Sequence, residues 1–270
     1  MLAFAGNSLL CRMALGSGAI DAASFTAIRF CSGALALLLL AAASGTRITA
    51  RGSWRSAVVL FVYAFPFAFA YARLTTGTGA LVLFGTTQIT MIAAGLRAGE
   101  RPSRVDWLGL AVALAGLLWL VMPGLSTSPS PGGVALMFVA GIAWGAYSLQ
   151  GRGSTAPVTD VTSTFLRLSP LTLGVVAAAW SSTHVSARGA TLAALSGAVT
   201  TGGGYVIWYY ALRHLTAMRA SVLQLSVPAL AALGGVLVLD EPVTVRLLTA
   251  ATLILGGVAV PILKPRARAV

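Results

Sequence analysis

Residues 61–74, FVYAFPFAFAYARL, carry a ring at every second position from Phe61 through Tyr63, Phe65, Phe67 and Phe69 to Tyr71. Strict alternation is the mark of a half-buried β-strand, yet neither face of this stretch is polar and Pro66 stands in its middle. The rest of the chain decides between strand and helix. It is 57% hydrophobic and 9% charged, with a mean hydropathy of +0.89, where soluble domains carry about 25% charged residues. Most of the surface must therefore face lipid, which forbids an open strand edge. A membrane β-barrel would alternate in segment after segment, but the pattern is confined to residues 61–71. The stretch belongs to a helix of an all-α membrane protein.

Windows of ~20 apolar residues between polar breaks give ten spans: 2–19, 23–43, 54–74, 76–98, 105–123, 132–150, 159–180, 190–212, 216–238 and 243–263. Lys and Arg total 18 against 6 Asp and Glu, a net charge of +12. In a soluble chain that excess points to nucleic acid; here the positive-inside rule accounts for it, and no nucleic-acid partner is expected. Arg47, Arg51, Arg55, Arg97, Arg101, Arg104, Arg152, Arg213, Arg219, Lys264, Arg266 and Arg268 share one side. Arg12, Arg73, Arg188 and Arg246 take the other, with Arg29 and Arg167 near opposite membrane boundaries. This places both termini in the cytoplasm, and the excess of Arg over Lys points to a bacterial inner membrane.

The uncharged loop PGLSTSPSPGG, 123–133, joins two similar halves. A shift of 141 residues aligns Leu74-Thr75 with Leu215-Thr216 and Glu100 with Glu241. A shift of 140 aligns Pro102 with Pro242 and Gly116 with Gly256, and slightly shorter ones pair Gly6 with Gly145 and Arg29 with Arg167. Five spans per half is an odd number, so the second half enters the membrane inverted. The expected fold is ten transmembrane helices as two inverted five-helix repeats around a central cavity, a plan common among secondary transporters. The domains read as 1–123, a linker at 124–131, and 132–270.

The segments GERPSRVDWLGLAVALAGLL (99–118) and DEPVTVRLLTAATLILGGV (240–258), which close the two halves, with AWGAYSLQGR (143–152), resemble the EamA-type members of the drug/metabolite transporter superfamily. The first half departs from that pattern, having Ala5-Gly6-Asn7 where a tryptophan is expected. Within the superfamily the chain is similar to the YddG-type aromatic amino-acid exporters. The resemblance implies a cavity lined by the first, third, fourth, sixth, eighth and ninth helices, with the fifth and tenth peripheral.

On a helix the six rings separate into two stripes. Tyr63, Phe67 and Tyr71 share one face, turned to a partly wet cavity; Phe61, Phe65 and Phe69 lie opposite, towards lipid or neighbouring helices. The competing reading is that Tyr63 and Tyr71 are membrane-interface belt residues, above all Tyr71 near the helix end. Pro66 removes a backbone hydrogen bond and bends this helix. Its counterpart in the second half, GGGYVIWYYAL at 202–212, is weakened by Gly202, Gly203 and Gly204 and places Tyr205, Trp208 and Tyr209 on one face. Interrupted helices at matching positions are a pointer to a transporter's binding site, and their free backbone groups are expected to receive a carboxylate or ammonium. Asn7, Gln88, Trp144, Tyr147 and Gln224 add candidate contacts, with Pro228 as a further break. For each polar group among these, a helix–helix hydrogen bond is the competing reading.

Absences narrow the substrate. The acids Asp21, Glu100, Asp106, Asp160, Asp240 and Glu241 all fall in loops or at helix ends, so there is no mid-membrane counter-ion for a cationic drug. No Arg or Lys is expected mid-span in the cavity helices, which disfavours dianions. No Cys/His set has zinc spacing, so neither metal nor cofactor is expected, and Cys11 and Cys31 read as small buried hydrophobes. A neutral or zwitterionic solute with an aromatic body remains. The expected function is secondary export of aromatic amino acids, with Thr and other neutral ones as further candidates, by alternating access. A multidrug or quaternary-ammonium (viologen) exporter is the alternative, an aromatic box being able to hold a cation without an acid. A membrane enzyme is remote, since only Ser196 with His184 or His214 offers a nucleophile–base pair. A two-half chain closes its own cavity, so a monomer suffices.

Overall fold

The structure, a computed structural model, describes residues 1–48, 53–71, 73–125 and 128–263. The helices are α1 (Leu2–Leu15), α2 (Ala22–Ala43), α3 (Trp54–Tyr71), α4 (Thr76–Arg97), α5 (Arg104–Val121), α6 (Pro131–Gly151), α7 (Pro157–Ala178), α8 (Ala187–Leu195), α9 (Gly204–Leu212), α10 (Ala217–Gln224), α11 (Ser226–Leu239) and α12 (Val245–Leu263). A π-helix, Ser196–Gly203, fuses α8 to α9, and a single residue, Leu225, separates α10 from α11. The described residues hold no strand, only an isolated bridge between Ile20 and Val185.

Eight helical segments are long and apolar enough to cross a membrane, and two shorter apolar ones, Leu2–Leu15 and Trp54–Ala70, accompany them. Of these two, α1 is short on geometric grounds. At 1.5 Å per residue the 14 residues of α1 span only about 21 Å of a ~30 Å hydrocarbon core.

Polar caps set the helix starts. Asp21, Thr75, Ser103, Ser130, Ser186 and Thr216 each accept a backbone N–H from the first turn of the helix that follows, which satisfies one of the donors a helix start leaves open. Between helices, small residues allow close approach. A Cβ on Gly109 would meet the Gly257 carbonyl at 2.5 Å, so α5 and α12 touch backbone to backbone. Elsewhere α3 and α4 flank α6, α2 lies between α7 and the π-helix, and α1 runs against α11. Large apolar side chains such as Leu39, Leu108, Ile207 and Leu237 remain exposed on the outside, as a lipid-facing surface requires.

Three ion pairs tie the ends together. Arg12 on α1 pairs with Glu241 after α11, Arg152 after α6 with Glu100 after α4, and Arg219 on α10 with Asp106 on α5.

Candidate functional site

Aromatic side chains from six helices meet in one cluster. Tyr63 lies 4.9 Å from Trp144 and 5.5 Å from Phe67 between ring centroids. Trp144 lies 5.3 Å from Tyr205 and 6.0 Å from Tyr147, and Tyr147 lies 5.2 Å from Tyr209. Phe4 of α1 stands edge-on to Trp144, Tyr205 and Trp208 at 5.5, 5.7 and 6.0 Å. Phe165 of α7 links Tyr205 to Phe30 of α2. Edge-to-face and tilted pairs at these separations are the arrangements that ring quadrupoles favour. The two stripes of α3 separate as the helical reading requires, with Phe61, Phe65 and Phe69 contacting one another along the other face.

Polar groups fix the rings. Trp144 Nε1 donates to Gln224 Oε1, whose Nε2 donates to Met91 Sδ at 3.1 Å and to the Ala220 carbonyl at 3.3 Å. Trp208 Nε1 donates to Ser148 Oγ at 3.2 Å, and Tyr209 donates to the Tyr147 carbonyl at 3.3 Å. These bonds join α6 to α9, α10 and, through Met91, α4. Gln88 lies apart from the rings: its Nε2 donates to the Ser221 carbonyl at 2.7 Å, while its buried Oε1 has no partner.

Asn7 is part of a second polar group. Its Oδ1 accepts from Ser196 Oγ at 2.6 Å and from Thr201 Oγ1 at 3.4 Å. These donors are five residues apart, the interval that π-helical hydrogen bonds bring together; in an α-helix they would diverge. Packing accounts for the wide winding. A Cβ at Gly197 would stand 2.0 Å from the Arg29 carbonyl oxygen and 2.1 Å from Ser32 Oγ, so the segment takes its path around the backbone of α2.

Several expectations change. Gly202 and Gly203 end the π-helix and Gly204 begins α9, so the helix passes through the glycines without a gap and changes its winding there. Helix α3 continues through Pro66 as one element, which is compatible with the bend expected there. The interruption near Pro228 falls at Leu225, ahead of the proline, which occupies the first turn of α11. Tyr71 ends α3, and its side chain lies outside what the structure describes. Arg29 and Arg167 both lie within their helices and not at the helix ends. Arg167 is the eleventh of 22 residues in α7, and Arg29, the eighth of 22 in α2, is fully enclosed.

Sequence reasoning passed over Phe4, Phe165 and Thr201, and named Arg29 and Ser196 in other roles. Phe4 falls on the helical face of Asn7 and Cys11, at i, i+3 and i+7, the one signal that could have found it.

Among the acids, Asp160 in the first turn of α7 lies within electrostatic range of Tyr147 and Tyr209. Asp21 caps α2 and accepts the His184 backbone N–H at 3.0 Å. Burial raises its pKa, but the hydrogen bonds from Ser24 and His184 outweigh that and hold the carboxyl below its ordinary value.

With the geometry in view, the relatives supply a family. The EamA-like transporter family matches residues 131–263. An uncharacterized protein of Pseudomonas aeruginosa is 49% identical over 267 residues, covering 98% of this chain and 92% of that protein. The chain belongs to the EamA-like transporter family. An uncharacterized transporter of Archaeoglobus fulgidus is 24% identical over 197 residues, 71% of this chain and 69% of its own. A protein of known crystal structure superposes with a TM-score of 0.82 at 21% identity over 97% of both chains, a likeness of fold. This EamA-like protein is thus a multi-pass membrane transporter built entirely of helices in its described residues.

Proposed function

We propose that this EamA-like transporter is a secondary exporter of aromatic and other neutral amino acids, working by alternating access in a bacterial inner membrane with both termini cytoplasmic. The observation that carries the reading is the cluster of Tyr63, Trp144, Tyr147, Tyr205, Trp208 and Tyr209, buried between helices with Phe67 half-buried against it, and with Asp160 near Tyr147 and Tyr209 but bound to Ser154. Such walls match the face of an aromatic ring, and their π-systems receive an ammonium without an acid. The rings now rest on one another, so loading requires them to part.

Matching features of residues 1–123 and 132–270 support two inverted repeats. Thr75 and Thr216, 141 residues apart, both cap helices. Gly99 and Asp240, again 141 apart, both take left-handed backbone, at φ 82° and 53°, just ahead of Glu100 and Glu241. Each of those acids pairs with an arginine of the other half, and these arginines, Arg152 and Arg12, are themselves 140 residues apart. The neighbours match as well: α4 on α6 corresponds to α11 on α1, and α3 on α7 to the π-helix on α2. That exchange of equivalent contacts is what a pseudo-two-fold axis produces.

Counterflow into proteoliposomes at symmetrical pH tests the substrate. Labelled phenylalanine outside, with unlabelled phenylalanine inside, should accumulate transiently and should fail to do so with Trp208→Ala. Accumulation driven only by internal methyl viologen would overturn the amino-acid reading in favour of a cationic-drug exporter.

A further inference from the structure

Arg29 is 3% exposed in the first half of α2. Its guanidinium carbon stands 4.6 Å from the Phe30 ring centroid and 5.9 Å from that of Phe25, contacts that offset part of the cost of burying a cation. Its Nε is buried without a hydrogen-bond partner. No acid neutralises it. Glu100, Asp106 and Glu241 pair with Arg152, Arg219 and Arg12. Asp21 caps α2, Asp160 accepts the Ser154 hydroxyl at 2.6 Å, and Asp240 is exposed at the end of α11. A buried ionised group without a counter-charge is costly, and within a membrane it marks a functional position.

The surroundings indicate what the charge is for. Tyr63, Tyr205 and Cys11 lie within electrostatic range of Arg29. Both tyrosines belong to the aromatic cluster, each next to Trp144, and the Phe30 ring beneath the guanidinium meets Phe165 at 5.2 Å, which meets Tyr205 at 5.5 Å, so the cation is joined to the cluster by two rings. A guanidinium presents its donors as a planar fork that fits a carboxylate with two parallel hydrogen bonds. We propose that Arg29 is the anion receptor of the transporter, binding the single carboxylate of a solute whose apolar body lies against Tyr63, Trp144 and Tyr205. This rests on, and sharpens, the amino-acid reading. It moves recognition of the carboxylate from the backbone at Gly202–Gly204 to a side chain of α2. One cation neutralises one anion, so monocarboxylates are selected and the amide or decarboxylated analogues are rejected.

The test compares binding of L-phenylalanine, 3-phenylpropionate, L-phenylalaninamide and phenethylamine to the full chain in detergent, for the native protein, Arg29→Gln and Arg29→Lys. The native protein should prefer the acids over the amide by roughly tenfold or more, the scale of a charge-assisted hydrogen bond. Arg29→Gln should erase that preference by weakening the acids alone, and Arg29→Lys, which keeps the charge without the fork, should recover part of it. If Arg29→Gln does not fold, Arg29→Lys still decides: acids weakened with the amide unchanged supports the proposal, and all ligands weakened equally overturns it. Phenylalanine bound with the same acid-to-amide ratio in Arg29→Gln would overturn the role of Arg29 and leave the amino-acid reading standing. Binding of 3-phenylpropionate but not of phenylalanine, lost in Arg29→Gln, would do the reverse. A native protein that binds neither acid refutes both.

Discussion

Replacing Glu100 by Gln should cost far more stability than the same change at Glu241, although both acids pair with an arginine. The Glu100 side chain is 15% exposed and that of Arg152 is 28%, against 32% for Glu241 and 54% for Arg12. Glu100 also accepts the Ala217 backbone N–H through both oxygens, at 3.0 and 2.9 Å, at the start of α10. Arg152 is held in turn by the Leu215 carbonyl at 3.2 Å. Glu100→Gln therefore removes a charge from a helix N-terminus and leaves a half-buried arginine without its counter-ion. Hydrogen bonds to charged groups contribute about 1.5–3 kcal/mol, so a loss of about 2–3 kcal/mol is expected. The exposed pair contributes about 0–1 kcal/mol. Unfolding of the detergent-solubilised protein, followed by tryptophan fluorescence at low and high salt, reads both losses. Only the small Glu241 effect should shrink strongly with salt. Equal losses, or a larger one at Glu241, would refute the argument that burial and the shared amide set the difference.

Other positions give sharper contrasts. Gly197→Ala places a Cβ 2.0 Å from the Arg29 carbonyl and should cost more than the ~1–3 kcal/mol of ordinary overpacking. Gly203→Ala, with nothing within 4 Å of the added atom, should be neutral or stabilising in the same unfolding assay. Asp240→Gly relieves a left-handed φ of 53° and should gain about 0.5–1 kcal/mol. Trp144→Phe strips the donor from Gln224 and should cost about 1–3 kcal/mol, while the double variant with Gln224→Leu should cost less than the sum of the single ones. The folded pKa of Asp21 is depressed, so its tether to the Ser24 and His184 backbone amides is present above the ordinary carboxylate pKa and is lost as pH falls through the lower, folded value. Amide exchange at His184 should therefore accelerate only below about pH 4.

The aromatic positions were legible because rings at helical spacing in an apolar span can be assigned to faces by arithmetic alone. Tyr63, Trp144, Tyr205 and Trp208 accordingly come together as their sequence positions imply. Capping residues were equally open to reading, since a Thr or Ser before an apolar run has a local function. The π-helix was not legible. Its winding answers to the Arg29 carbonyl, 168 residues away from Gly197 in the chain, and glycines alone suggested a break. Arg29 was not read as a site residue because an arginine near the start of an apolar span reads as a topological charge, and only its burial in the folded helix sets it apart. Phe4 was overlooked because a lone Phe in an apolar span reads equally as lipid-facing.

The π-helix between α8 and α9 stores a quantity of rotation. Rewinding it to α geometry would advance the register of everything beyond it by one residue for each wide turn closed, about 100° at 3.6 residues per turn. Tyr205, Trp208 and Tyr209 all lie just beyond it, so a change of winding would turn that whole panel of rings like a key, while Ser196 and Thr201 would no longer share a side and Asn7 would lose one of its two donors. The double acceptance at Asn7 is therefore a signature of the wide winding, which the packing of Gly197 on the Arg29 carbonyl accompanies.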